Sequence, residues 1–177
     1  AAELGIPIEF SPVTWYASDL AEAQRAAVGD ERMKRWAPIK SAVDAGIRIA
    51  LASDGPIAWH DPLVALEAAV TRQAQGGTGE PFNPDQAIDV ATAVEAYTLG
   101  PAYLTSQDDK TGSIESGKYA DLLVLRPRHS DPYEALLGAQ IEDIELLLYE
   151  GTPILGVDVE VEGAKDYSVI AGSDLIT

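Results

Sequence analysis

Ile49-Ala50-Leu51-Ala52-Ser53-Asp54-Gly55-Pro56 places a carboxylate at the end of an apolar run and then turns the chain with Gly-Pro. An acid in that position has two uses. At the carboxyl end of a strand in a parallel α/β sheet or barrel, the backbone is anchored in the sheet while the side chain is aimed into the site those ends form, where it can take and return a proton. Asp before Gly is also a common turn residue that accepts hydrogen bonds within its own loop. The local pattern leaves both readings open for Asp54.

Other chemistry-bearing residues are sparse. There are two histidines, His60 in Ala58-Trp59-His60-Asp61-Pro62 and His129 in Arg128-His129-Ser130-Asp131-Pro132, and each reads first as a solvated loop residue. The chain has no Cys, which excludes disulfides and thiolate metal sites and leaves His, Asp, Glu or a modified Lys as the available metal ligands. Ser53-Asp54 lacks the G-x-S-x-G elbow of a serine hydrolase, and Gly76-Gly77-Thr78-Gly79 lacks the Gly-Lys-Ser/Thr ending and preceding strand of a phosphate-binding loop. Trp15, Tyr16 and Trp59 fall in loops that follow predicted strands, placed either to wall a substrate pocket or simply to pack.

These residues need a scaffold, and the composition supplies one. With 177 residues, 46% of them hydrophobic, the chain can bury the core of one full domain or two small ones. Its 29 acidic and 12 basic residues give a formal charge of -17, which disfavours nucleic acid and anionic membranes as partners. The opening Ala-Ala-Glu-Leu-Gly-Ile-Pro-Ile has no basic or long apolar region of a leader, and no stretch reaches membrane-spanning length, so the expectation is a soluble, cytoplasmic protein.

The coarse element pattern is α/β followed by β. Ile6, Ile8 and Phe10 alternate with Pro7 and Glu9 as a short strand, and Asp19 to Val28 is Ala- and Glu-rich as a helix. Pro38 to Ala45, stopped by Gly46, predicts a short helix, and Ile47 to Ala52 a strand buried on both faces. Asp61-Pro62 signals a helix start whose apolar face, Leu63, Leu66, Ala69 and Val70, runs out before Gln75-Gly76-Gly77. Asn83-Pro84-Asp85-Gln86 suggests another start, with helical stretches over Val90 to Thr98 and near Ala102 to Leu104. After Thr105, "GSIESGKYADLLVL", "IELLLYEGTPIL" and "VDVEVEG" read as short strands separated by Gly-containing turns. The expected domains are therefore an α/β part over 1–105 and a β-rich part over 106–177.

Taken in order, "DAGIRIALASDGP", "DPLVALEAAVTRQ", "AVEAYTLGPAYL" and above all "GSIESGKYADLLVL" resemble the C-terminal part of a metal-dependent amidohydrolase of the group called amidohydrolase family 3. The resemblance extends over most of residues 1–152 and fades beyond. It implies the C-terminal part of a (β/α)8 barrel, with "IPIEF" and "IRIALA" as strands seven and eight, followed by part of a small β-sandwich. It further implies hydrolysis of a non-peptide, amide-type carbon–nitrogen bond by water activated on a divalent metal, zinc being the expected ion. Asp54 matches the family's acid at the end of the last strand, both a metal ligand and the proton carrier, and Trp15, Tyr16, Trp59 and His60 become expected contacts to a small-molecule substrate.

The family's other ligand positions, an early His-x-His among them, have no match here. This chain alone is thus expected to bind no metal and to be inactive, requiring the missing barrel half or another copy of itself. The rival reading is a noncatalytic folding or interaction module that has inherited the fold without the chemistry.

Overall fold

A computed structural model describes residues 1–55 and 61–156. Trp59, His60 and the run "VDVEVEG" lie outside the described residues. The chain divides into two compact units, Ala1–Ser106 and Gln107–Thr177.

In the first unit, strand β1 (Ile8–Phe10) pairs in parallel with β2 (Ile49–Leu51), with Ile8 opposite Ile49 and Phe10 opposite Leu51. The ladder runs on past β2, because the Ala52 N–H donates to the Phe10 carbonyl at 2.9 Å. All three residues of β2 are buried, as a strand covered on both faces requires, but the strand is shorter than the apolar run that announces it. Among the described residues β1 and β2 pair only with each other, so each keeps one open edge.

The connection from β1 to β2 carries three helices, α1 (Asp19–Val28), α2 (Asp30–Met33) and α3 (Ile39–Asp44). Helix α1 begins where Ser18 caps the Ala21 N–H and ends at Gly29, whose φ of 82° lets the chain turn straight into α2. Helix α4 (Pro62–Thr71) follows the loop after β2, with Asp61 accepting the Leu63 N–H at 2.9 Å and Pro62 in the first turn.

Asn83-Pro84-Asp85-Gln86 does not start a helix. Pro84–Gln86 is a single 3-10 turn, and Asn83, at φ 50°, spends its side chain on the Met33 carbonyl at 2.7 Å instead of capping. Helix α5 (Val90–Tyr97) starts later, capped by Asp89 onto the Thr92 N–H, and α6 (Leu99–Leu104) follows after Thr98. Gly100 lets α6 press against β2: a β-carbon there would collide with the Ile49 carbonyl oxygen and lie 3.0 Å from Ala50 Cα.

The second unit holds a three-stranded antiparallel sheet in the order β3 (Leu122–Leu125), β4 (Ile144–Tyr149), β5 (Thr152–Gly156), with α7 (Pro132–Leu137) between β3 and β4. A second sheet, which a sandwich needs, is not among the described residues. Strands β4 and β5 join through Glu150-Gly151, both at positive φ (49° and 75°), the conformation that suits a two-residue hairpin. The polar residues of "GSIESGKYAD" tie this unit's turns. Asp121 accepts the Glu150 N–H at 2.7 Å and the Thr111 hydroxyl at 2.9 Å, while Lys118 Nζ donates to Ser113 at 2.6 Å and lies 3.2 Å from Glu115.

Among the described residues no helix is long and apolar enough to cross a membrane.

Candidate active site

The carboxyl ends of β1 and β2 face the same way because the strands are parallel, so the loops leaving them emerge side by side. One carries Trp15 and Tyr16 and the other Ser53 and Asp54. Asp54 is exposed and sits in the left-handed region at φ 51°, a conformation that costs most L-residues about 1–2 kcal/mol and that Asp tolerates better than most. It has no hydrogen-bond or ion-pair partner among the described residues.

Trp15 is placed differently. It is only 6% exposed, with the edge of its ring against Phe10 (centroids 5.6 Å apart, planes at 84°) and the Arg72 guanidinium 5.1 Å over its face. The ring is packed beneath the loop, whereas its neighbour Tyr16 remains half-buried.

Arg72 is the residue that sequence reasoning passed over. It ends α4 in the left-handed conformation at φ 60° and has no exposed surface. It is clasped to Phe82 twice: its carbonyl accepts the Phe82 N–H at 2.8 Å and its Nε donates to the Phe82 carbonyl at 2.9 Å. Both Nη groups lack a hydrogen-bond partner among the described residues. Burial lowers its pKa to about 10, which still leaves it charged at neutral pH. The face of Trp15 is then its electrostatic partner, and a desolvated pair of this kind contributes about 2 kcal/mol.

Phe82 carries the clasp outward. It packs edge-on against Trp36 (5.2 Å, 89°), lies beneath the Arg25 guanidinium at 5.2 Å, and joins Ala21 of α1 and Met33 of α2 in one buried cluster. The only sequence signal for all this was an arginine just before a Gly-rich stretch, which is also what an ordinary exposed helix end looks like.

Among the described residues no three His, Asp or Glu side chains come together. A hydrolytic metal needs several protein ligands and an open position, and Asp54 is a lone donor, so these residues do not by themselves fit such an ion. His129 belongs to the second unit, exposed, with Nδ1 3.6 Å from a Glu134 carboxylate oxygen.

The amidohydrolase family model matches residues 1–172. The chain belongs to the amidohydrolase family. The chain is 32% identical over 146 residues to an N-substituted formamide deformylase of Arthrobacter pascens, a match covering 82% of this chain and 26% of that protein. Its fold resembles that of an uncharacterized metal-dependent hydrolase of Pyrococcus horikoshii, with a TM-score of 0.54 and 26% identity over 67% of this chain and 24% of that one. It also resembles a triazine hydrolase variant, with a TM-score of 0.59 over 88% of this chain and 32% of that one, a likeness of fold alone at 21% identity. The chain thus spans about a quarter of the length of the curated relative it matches, 26%.

Proposed function

We propose that this chain is the C-terminal part of an enzyme that hydrolyses a non-peptide carbon–nitrogen bond in a small molecule. In this reading β1 and β2 are the last two strands of a (β/α)8 barrel. Their open edges take strands from the rest of the barrel or from another copy, and Gln107–Thr177 belongs to a β-sandwich. The observation that carries it is Asp54: an exposed carboxylate, without a partner among the described residues, held in a left-handed turn at the carboxyl end of a parallel strand, in a chain of the amidohydrolase family.

The work assigned to Asp54 is proton transfer. It accepts a proton from the attacking water as the new carbon–oxygen bond forms, and returns it to the nitrogen as the carbon–nitrogen bond breaks. Tyr16, Trp59 and His60 flank the substrate, with Trp15 supporting the loop from below. A divalent metal, zinc in this proposal, would be held mainly by ligands outside the described residues, which is why the chain alone is proposed to be inactive.

The test uses the full-length gene product and an N-substituted formamide as substrate. Asp54→Asn should lower kcat about 1,000-fold with an unchanged far-ultraviolet circular dichroism spectrum and melting temperature. Turnover of Asp54→Asn near the wild-type rate would overturn the assignment of Asp54, and no turnover by the wild-type full-length protein would favour the noncatalytic module.

A further inference from the structure

We infer that Arg72 is a positioning residue that sets substrate affinity by fixing the loop after β1, and with it Tyr16, at the carboxyl end of the sheet. This inference rests on the proposed hydrolase reading, since it needs a substrate at that end.

The argument begins with what Arg72 joins. Its guanidinium face holds Trp15, its Nε and its backbone carbonyl hold Phe82, and its own backbone ends α4. Through Phe82 and through the Asn83 side chain on the Met33 carbonyl, the same segment fastens α1 and α2, which continue the loop that carries Trp15 and Tyr16. One side chain therefore clamps that loop at Trp15, while its neighbour Phe82 clamps it again at α1 and α2.

A surface role does not explain the residue. A fully buried guanidinium whose two Nη groups have no hydrogen-bond partner among the described residues is a costly arrangement, and the aromatic face of Trp15 offsets part of that cost. Moving Trp15 away would leave a bare buried charge, so the charge resists any shift of the loop. Lys cannot replace it: an ammonium has neither the planar face to lie on the ring nor an Nε to reach the Phe82 carbonyl.

The test compares Arg72→Lys, Trp15→Leu and the double variant in the full-length enzyme with an N-substituted formamide. Each single change should raise KM about 10-fold and leave kcat within about 3-fold, because the groups that exchange protons are untouched. The double variant should be no worse than either single one, because both changes break the same contact. Multiplying effects, near 100-fold in KM, or an equal fall in kcat, would overturn the inference. Should Arg72→Lys fail to fold, Trp15→Phe decides: it keeps a ring over the guanidinium and should hold KM near the wild-type value, and a KM as high as that of Trp15→Leu would overturn the inference. If the wild-type full-length protein does not turn the substrate over the hydrolase reading fails, whereas an active wild type alongside additive Arg72 and Trp15 effects defeats this inference alone.

Discussion

Two strands with almost the same local composition behave oppositely in the two units. β2 is Ile-Ala-Leu and every residue is buried, at 7%, 2% and 2% exposure. β3 is Leu-Leu-Val-Leu, more apolar still, yet Leu123 and Val124 are 47% and 40% exposed. The difference is in what surrounds them. β2 has β1 beside it and α6 pressed to its backbone through Gly100, whereas the sheet containing β3 buries Leu146 and Leu148 of β4 more deeply than β3 itself. An apolar run thus marks a strand in both places, but says how deeply it is buried only once its neighbours are known.

The contrast can be broken or sharpened by substitution. Leu51→Ala should cost about 3 kcal/mol, through lost burial and the cavity left, while Leu123→Ala should cost less than about 1 kcal/mol. Tryptophan fluorescence during urea unfolding reads the first, since Trp15, Trp36 and Trp59 all precede Gln107. Amide hydrogen exchange along β4 reads the second. Equal costs would mean the two strands are equally embedded.

Gly100→Ala should cost about 2 kcal/mol in the same fluorescence experiment, because its new methyl meets the backbone of Ile49 and Ala50, which cannot swing aside. Gly151→Ala in the second unit meets only open space and is limited to the strain of its positive φ, so the gap between the two separates crowding from backbone conformation.

The smallest effect concerns acid. Asp143 accepts the Gln140 N–H at 2.9 Å and the Arg128 Nε at 2.6 Å, and these bonds hold its carboxyl below the ordinary carboxylate range. A depressed folded pKa stabilises the fold fully above the unfolded value, near pH 4, and that contribution is lost as pH falls through the folded pKa. β4 amides should therefore lose protection below about pH 4, and Asp143→Asn should flatten that loss. A wild-type profile as flat as the variant's would remove Asp143 from the account.

Local chemistry was legible wherever a short stretch completes its own bonds. Helix α1 begins and ends where its composition predicts, and Asp61-Pro62 caps α4 as read. The same Asp-Pro signal at Asp131-Pro132 starts α7, with Asp131 accepting the Tyr133 and Glu134 N–H groups, but the β-rich reading of that region passed over it. Asn83-Pro84 misled because the carbonyl that claims the Asn83 side chain, Met33, lies 50 positions earlier in the chain. At the candidate site, Asp54 was visible as an acid ending an apolar run, whereas Trp15 read equally well as a pocket wall or as packing.

By itself, then, the sequence determined the α/β-then-β order, the caps of its main helices, the family and the acid at the end of β2, because each depends on residues adjacent in the chain or on motifs in a fixed order. Only the tertiary structure decided that Trp15 is packed while Asp54 lies exposed without a partner among the described residues, and that Arg72 is the buried clasp that joins Trp15 to Phe82 and, through Phe82, to α1 and α2. Burial and partner choice are set by segments tens of residues apart, and a guanidinium at a helix end carries no local mark of whether water or an aromatic ring will meet it.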